Sequence, residues 1–233
     1  MRTLRGKGIV AVLLLLLLAP QASSAASPWF CTTQGRRLGY VRHNADNGRV
    51  KWLYAISFDK VSAGPAGGST VEYSYDFRKP GGGQMYGGPI RMSAAISPAG
   101  DVTLNIAATM QAVFGNMFPK AKPASEGGLT VLPAALGPGD SLPDASAVVI
   151  VLGMKYTVTV TERSVVRREP LRTPAGTFDC IVVSEHKVES GIGRNRDVRT
   201  LTWYAAGVGE VRHDTFDWKT GKLQTYETLE SID

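Results

Sequence analysis

The chain has 233 residues, 26 Lys and Arg against 20 Asp and Glu, a formal charge of +6 and two cysteines. Arg2, Arg5 and Lys7 supply half of that excess; the rest is diffuse apart from Arg163, Arg167, Arg168 and Arg172. A nucleic-acid binder needs a basic face interleaved with aromatics, so that class is excluded, while the length suffices for one domain with a sizeable core.

The first 26 residues read as a cleaved secretory signal. Arg2, Arg5 and Lys7 precede an apolar run from Ile9 to Ala19 built on six consecutive leucines, and small residues follow at Ser23–Ala26. The run is shorter than the roughly 20 residues that span a bilayer, so it reads as a signal rather than a membrane anchor, and the mature chain, residues 27–233, is expected to carry no transmembrane span. Pro28-Trp29-Phe30 before Cys31 is unlike the small-residue box that directs lipidation. The expected location is the periplasm or beyond it. An exported chain meets oxidising conditions, so a Cys31–Cys180 disulfide is expected, contributing about 2–5 kcal/mol.

In chain order, Gly39 to Phe58 predicts a hairpin around Asn44–Gly48, with Trp52, Tyr54, Ile56 and Phe58 on one face. Val71, Tyr73, Tyr75 and Phe77 alternate with polar residues, the clearest strand pattern in the protein. Gly81–Gly88 lacks the Lys-Ser/Thr of a phosphate loop and runs into Pro89, so it reads as a turn. Ile90–Ile96 and Val102–Ile106 can pair across Ser97–Asp101. The segment Ala107–Phe118 carries Met110, Val113, Phe114 and Met117 at helical spacing and ends at Pro119. Lys120–Gly128 reads as a polar loop, and Gly137–Asp140 and Leu142–Asp144 as turns.

Met154–Thr161 and Phe178–Val183 alternate as two strands of a long antiparallel hairpin. Between them Pro174 fixes φ and Gly176 can take a positive φ, which suits a tight reversal. Gly207 and Gly209 then punctuate two aromatic-rich strands, and Thr220-Gly221 offers a last hairpin loop. These segments, Thr173–Cys180 (TPAGTFDC), Thr202–Val211 (TWYAAGVGEV) and Gly221–Ile232 (GKLQTYETLESI), preceded by Leu132–Ala145 (LPAALGPGDSLPDA), resemble the TapB-like family of bacterial envelope proteins. The resemblance implies an exported, mostly antiparallel β protein, and it carries over no catalytic residues.

Chemistry-bearing motifs are sparse. His43, His186 and His213 lack metal-ligand spacing, so each reads as solvated or as a satisfied polar contact, and no metal or cofactor is implied. No Gly-x-Ser-x-Gly elbow is present. Gly191-Ile192-Gly193 is not a dinucleotide fingerprint, because Arg196 stands where the third glycine belongs.

The predicted fold is all-β, a strongly curved antiparallel sheet or partly open β-barrel of ten to twelve strands with one short helix. A two-sheet β-sandwich is the alternative. Trp52, Tyr54, Tyr73, Tyr75, Trp203, Tyr204 and Phe216 are the candidate lining of a concavity that holds an apolar ligand, a lipid or a protein partner. The expected function is thus a non-enzymatic envelope protein. An envelope hydrolase of a glycan or ester, with a site assembled only on folding, is the alternative.

Overall fold

The computed structural model describes residues 27–191 and 193–233. The expected signal peptide, residues 1–26, lies outside the described residues. In chain order come β1 (Arg37–Asn44), β2 (Val50–Ala63), β3 (Ser69–Arg78), β4 (Ile90–Ile96), β5 (Val102–Asn105), α1 (Ile106–Met117), β6 (Ala124–Gly127) and β7 (Leu129–Leu132). Then follow β8 (Ala145–Val151), β9 (Met154–Thr173), β10 (Gly176–Gly191), β11 (Arg194–Ala205), β12 (Gly209–Asp217) and β13 (Leu223–Ile232).

All the strands join one antiparallel sheet in the order β6-β8-β9-β10-β11-β12-β13-β1-β2-β3-β4-β5-β7. The end strands β6 and β7 are separated in the chain by Gly128 alone, so the sheet must curl until its two margins meet. A nearly closed barrel follows. Residues 124–132 are in effect one extended segment whose first half pairs with β8 (Ala124 with Ile150) and whose second half pairs with β5 (Asn105 with Leu129). This arrangement leaves little free edge for unwanted strand addition.

The single α-helix among the described residues starts where Asn105 caps it: Ala108 N–H donates to Asn105 Oδ1 at 2.9 Å. Phe114 packs edge-on against Tyr156 at 5.2 Å and joins a cluster with Val149, Val151 and Val158. Val113, one residue earlier, faces the barrel cavity described below. The helix therefore bridges β4 and the β6–β8 margin across the seam, and of its predicted apolar face only Met117 is exposed.

The strand count, the loop at Lys120–Gly128 and the disulfide differ from expectation. The sheet has thirteen strands rather than ten to twelve, because Lys120–Gly128, read as a loop, contains β6, and because β7 and β8 follow it. β8 turns into β9 through Leu152-Gly153, both at positive φ (52° and 76°), a tight hairpin that leucine does not advertise. The expected Cys31–Cys180 disulfide is absent: both are free, fully buried thiols. Other bonds already hold the N-terminal segment, since Gly207 N–H donates to Pro28 O at 2.7 Å and Trp29 Nε1–H to Ala134 O at 3.1 Å. Cys180 Sγ instead lies 3.6 Å from Phe178 O on its own strand.

The expected turn at Pro174 forms as the β9–β10 hairpin, with Gly176 at φ 141°. Gly207 and Gly209 take φ 72° and 101° in the β11–β12 connection, where Gly209 faces the backbone of Phe30 and Cys31.

Candidate functional site

The strands carry their inward residues in matched rows. Leu38 of β1 pairs with Ile56 of β2, which pairs with Tyr75 of β3. One step along, Tyr40, Tyr54 and Phe77 form the next row, and Arg42 and Trp52 the one after. Because alternate residues share a face, each row adds a layer to the barrel interior. The layers grade from apolar at the Leu38 end to charged at the Arg42 end.

The interior is not filled solid. A cavity of about 500 Å³ remains, within the roughly 300–1,000 Å³ typical of small-molecule sites. Trp29 and Phe30 of the N-terminal segment line its apolar end together with Phe58, while Arg42, Arg194 and Arg196 line the other. Phe30 packs edge-on against Phe58 and Tyr73 at 5.5 and 5.3 Å. Midway, Tyr40 stacks on Tyr54 at 4.7 Å, and Tyr54 lies 5.3 Å from Phe77.

Of the seven aromatics singled out from sequence, Trp52, Tyr54, Tyr75 and Tyr204 line this cavity. Tyr73 shares their side of the sheet but is buried against Phe30 and Phe58. Trp203 and Phe216 do not line it. Trp203 donates its indole N–H to Glu169 at 2.7 Å and sits beneath Arg167 and Arg212, and Phe216 lies under Arg199 at 4.8 Å. An aromatic run such as Trp203-Tyr204 puts one ring on each face, and sequence alone does not say which faces inward.

The polar half of the cavity contains residues that sequence reading passed over. Glu227 forms an ion pair with Arg42 and accepts a 2.8 Å hydrogen bond from Tyr54 Oη. Arg42 also donates to Thr225 Oγ1 at 2.7 Å, but its buried Nε has no partner. Glu210 Oε1 lies 3.5 Å from the same Tyr54 hydroxyl, and Tyr40 Oη donates to the Glu210 carbonyl at 2.7 Å. Burial, reinforced by Glu227, pushes the Glu210 carboxyl up to about 8, so it is mostly protonated at neutral pH. Burial also drives the Tyr54 phenol well above its ordinary value, with Glu227 and Glu210 adding to the effect.

A β-bulge sets this arrangement. Trp203 pairs with Arg212 and Tyr204 with Glu210, so Val211 is the extra residue, and Glu210 and His213 both reach the cavity despite their odd spacing. His213 Nδ1 is 2.9 Å from Thr202 Oγ1; burial, then Lys187, Arg42 and Arg196, push its pKa well below the usual histidine value and keep it neutral. His43, stacked on Tyr226, and His186, stacked on Trp218 and bonded to Asp197 at 2.8 Å, do not line the cavity.

At the charged end, Glu189 joins Arg194 at 2.5 Å, Lys187 at 3.2 Å and the Tyr156 hydroxyl at 3.0 Å. Burial acts to raise the Glu189 carboxyl, but Lys187, Arg194 and these hydrogen bonds outweigh it and hold it at about 2. No group of three or more His, Cys, Asp or Glu side chains able to hold a metal occurs among the described residues. No helix there is long and apolar enough to cross a membrane.

Two solved structures share the fold. A candidate exported protein with a YmcC-like fold from Bacteroides fragilis is 22% identical, with a TM-score of 0.71 over 89% of this chain and 99% of its own. A candidate lipoprotein from Parabacteroides distasonis is 20% identical, with a TM-score of 0.71 over 90% of this chain and 100% of its own. No curated protein matches the sequence significantly. Residues 37–229, the span from the first barrel strand to near the end of the last, match the DUF3108-like family, and the chain belongs to it.

Proposed function

We propose that this is an exported, non-enzymatic cell-envelope protein that holds an apolar ligand in the concavity of its sheet, with residues 27–233 acting as one domain. The observation that carries the reading is the unfilled, aromatic-walled cavity of about 500 Å³. Protein interiors normally pack to crystal-like density, so a void of this size amid Tyr54, Tyr75 and Phe77 suits an apolar occupant. Export is supported by the basic, leucine-rich and small-residue segments of residues 1–26 and by the description of one structural neighbour as an exported protein and of the other as a lipoprotein. Within its family we group the chain with TapB-like proteins on the motifs at Leu132–Ala145 and Thr173–Ile232. A lipid anchor at Cys31 is disfavoured, because attaching one would remove Trp29 and Phe30 from the core and Cys31 is itself fully buried.

The test is saturable binding of the neutral fluorescent probe N-phenyl-1-naphthylamine to the purified mature protein. Val113→Trp, which fills the cavity from the helix side, is expected to weaken that binding. Absence of saturable binding, or binding untouched by the filled variant, would refute the cavity reading.

A second reading, a hydrolase of an envelope glycan or ester, draws on the convergence of Glu210 and Glu227 at one phenol, a protonated acid beside a second carboxylate. Against it, Glu227 is already engaged by both Arg42 and Tyr54. Turnover of a glycoside or ester that disappears in Glu210→Gln would favour this reading over simple binding.

A further inference from the structure

We propose that the charged end of the cavity is a headgroup site, and that the ligand is a single-chain anionic amphiphile whose carboxylate or phosphate sits among Arg42, Lys51 and Arg196. This rests on the apolar-ligand reading and adds the chemistry and orientation of the ligand.

The argument begins with unmatched charge. Arg42, Lys51, Lys187, Arg194 and Arg196 line the cavity or its outer mouth. Their carboxylate partners are Glu227, bound to Arg42, and Glu189, shared by Lys187 and Arg194. Among the described residues no carboxylate lies within 4.0 Å of Lys51 or Arg196. The best side-chain contact of Arg196 is a long 3.5 Å bond to Gln224. Like charges gathered in this way repel, and burial, followed by the neighbouring cations Arg42, Arg196 and Arg194, lowers the pKa of Lys51.

A second observation is independent of charge counting. Arg42 Nε is buried without a hydrogen-bond partner, although the other two nitrogens of the same guanidinium are engaged. A buried donor left unsatisfied is costly, and Arg42 lines both the cavity and the mouth. An anion there would meet that donor, relieve the repulsion and gain charge-assisted bonds. The Trp52 indole forms the hinge between the two chemistries, since Arg42 and Lys51 lie over its ring at 4.7 and 5.2 Å while its strand neighbours on the same face continue into the aromatic wall. A ligand enters the site chain first and leaves its anion at the mouth.

The test measures displacement of N-phenyl-1-naphthylamine by dodecanoate, monododecyl phosphate, dodecanol and inorganic phosphate, each below its aggregation threshold, from wild type and from Lys51→Gln/Arg196→Gln. Lys51 lies at the mouth and Arg196 lines both the mouth and the charged end of the cavity, and a matching thermal midpoint verifies that the variant folds. The anionic chains are expected to bind at least about tenfold more tightly than dodecanol, to weaken with added salt, and to lose most of that preference in the variant, whose affinity for dodecanol changes by far less than its affinity for the anionic chains. Equal binding of all three chains would overturn the headgroup site and leave the apolar cavity standing. Failure of every chain and of the probe would overturn both. Inorganic phosphate competing as well as its dodecyl ester would overturn the amphiphile and mark a free-anion site, and an anion preference that survives in the variant would overturn the assignment to Lys51 and Arg196.

Discussion

Glu210 and Glu227 converge on a single phenol: Tyr54 Oη lies 2.8 Å from Glu227 and 3.5 Å from Glu210, and of these two carboxylates only Glu227 is bound by Arg42. The carboxyl without the arginine is the one driven up, to about 8, from an ordinary value of 4.5. Between those two pH values the unfolded chain has released a proton that the native chain keeps. Stability attributable to Glu210 therefore falls as pH rises from about 4.5 to about 8 and then levels off. Glu210→Gln, neutral at every pH, should flatten that decline. Urea midpoints of both proteins at about pH 5 and about pH 8.5 read the difference, and parallel declines in the two would show that Glu210 does not titrate as described.

The Arg42–Glu227 pair is about nine-tenths buried on both sides. Removing one partner strands the other charge, so Arg42→Met is expected to destabilise by about 3–5 kcal/mol, while Arg42→Met combined with Glu227→Leu should recover much of the loss. Chemical denaturation of the two variants measures this. A double variant no better than the single would mean that packing, not charge, sets the cost.

Gly128 sits at the joint where β6 passes into β7, at φ 86°, and a Cβ there would lie 2.4 Å from Ala107 N and 2.8 Å from Ala107 Cβ. Its carbonyl accepts from Ile106 N–H at 2.6 Å, so the contact cannot simply open. Gly128→Ala should destabilise by roughly 2–3 kcal/mol through left-handed strain and overpacking. Gly81→Ala, with nothing within 4 Å of its Cβ, serves as the near-neutral control. Similar thermal midpoints for the two would show that the seam is looser than described.

The two thiols should behave as buried and unlinked. Burial, with Asp179 and Glu169 adding to it, pushes the Cys180 thiol up to about 12, which keeps it protonated and unreactive. In native protein neither cysteine should react readily with iodoacetamide; after denaturation without reductant both should. Alkylation that requires prior reduction would restore the bond expected from the oxidising compartment.

Much of the architecture was legible in the chain itself. Alternation at Val71–Phe77 and Met154–Thr161, the break at Pro174 and Gly176, and the helical spacing of Met110, Val113 and Phe114 report local backbone preference, and local preference is what a sequence encodes directly. The elements that escaped notice lack those signals: β6 is only four residues long and polar, and β8 turns through Leu152, a residue that disfavours positive φ.

The site belongs to the other category. Arg42, Glu210 and Glu227 come from β1, β12 and β13, and Arg42 and Glu227 are 185 residues apart in the chain. Nothing along the polypeptide marks three scattered charged residues as neighbours. Their meeting depends on strand order, register and the bulge at Val211, which reverses the side on which Glu210 would otherwise fall relative to His213. The sequence by itself determined that pleated, aromatic-rich ribbons would form. Only the closed sheet decided which rings and charges share its interior, because a one-residue change of register exchanges the two faces of a strand.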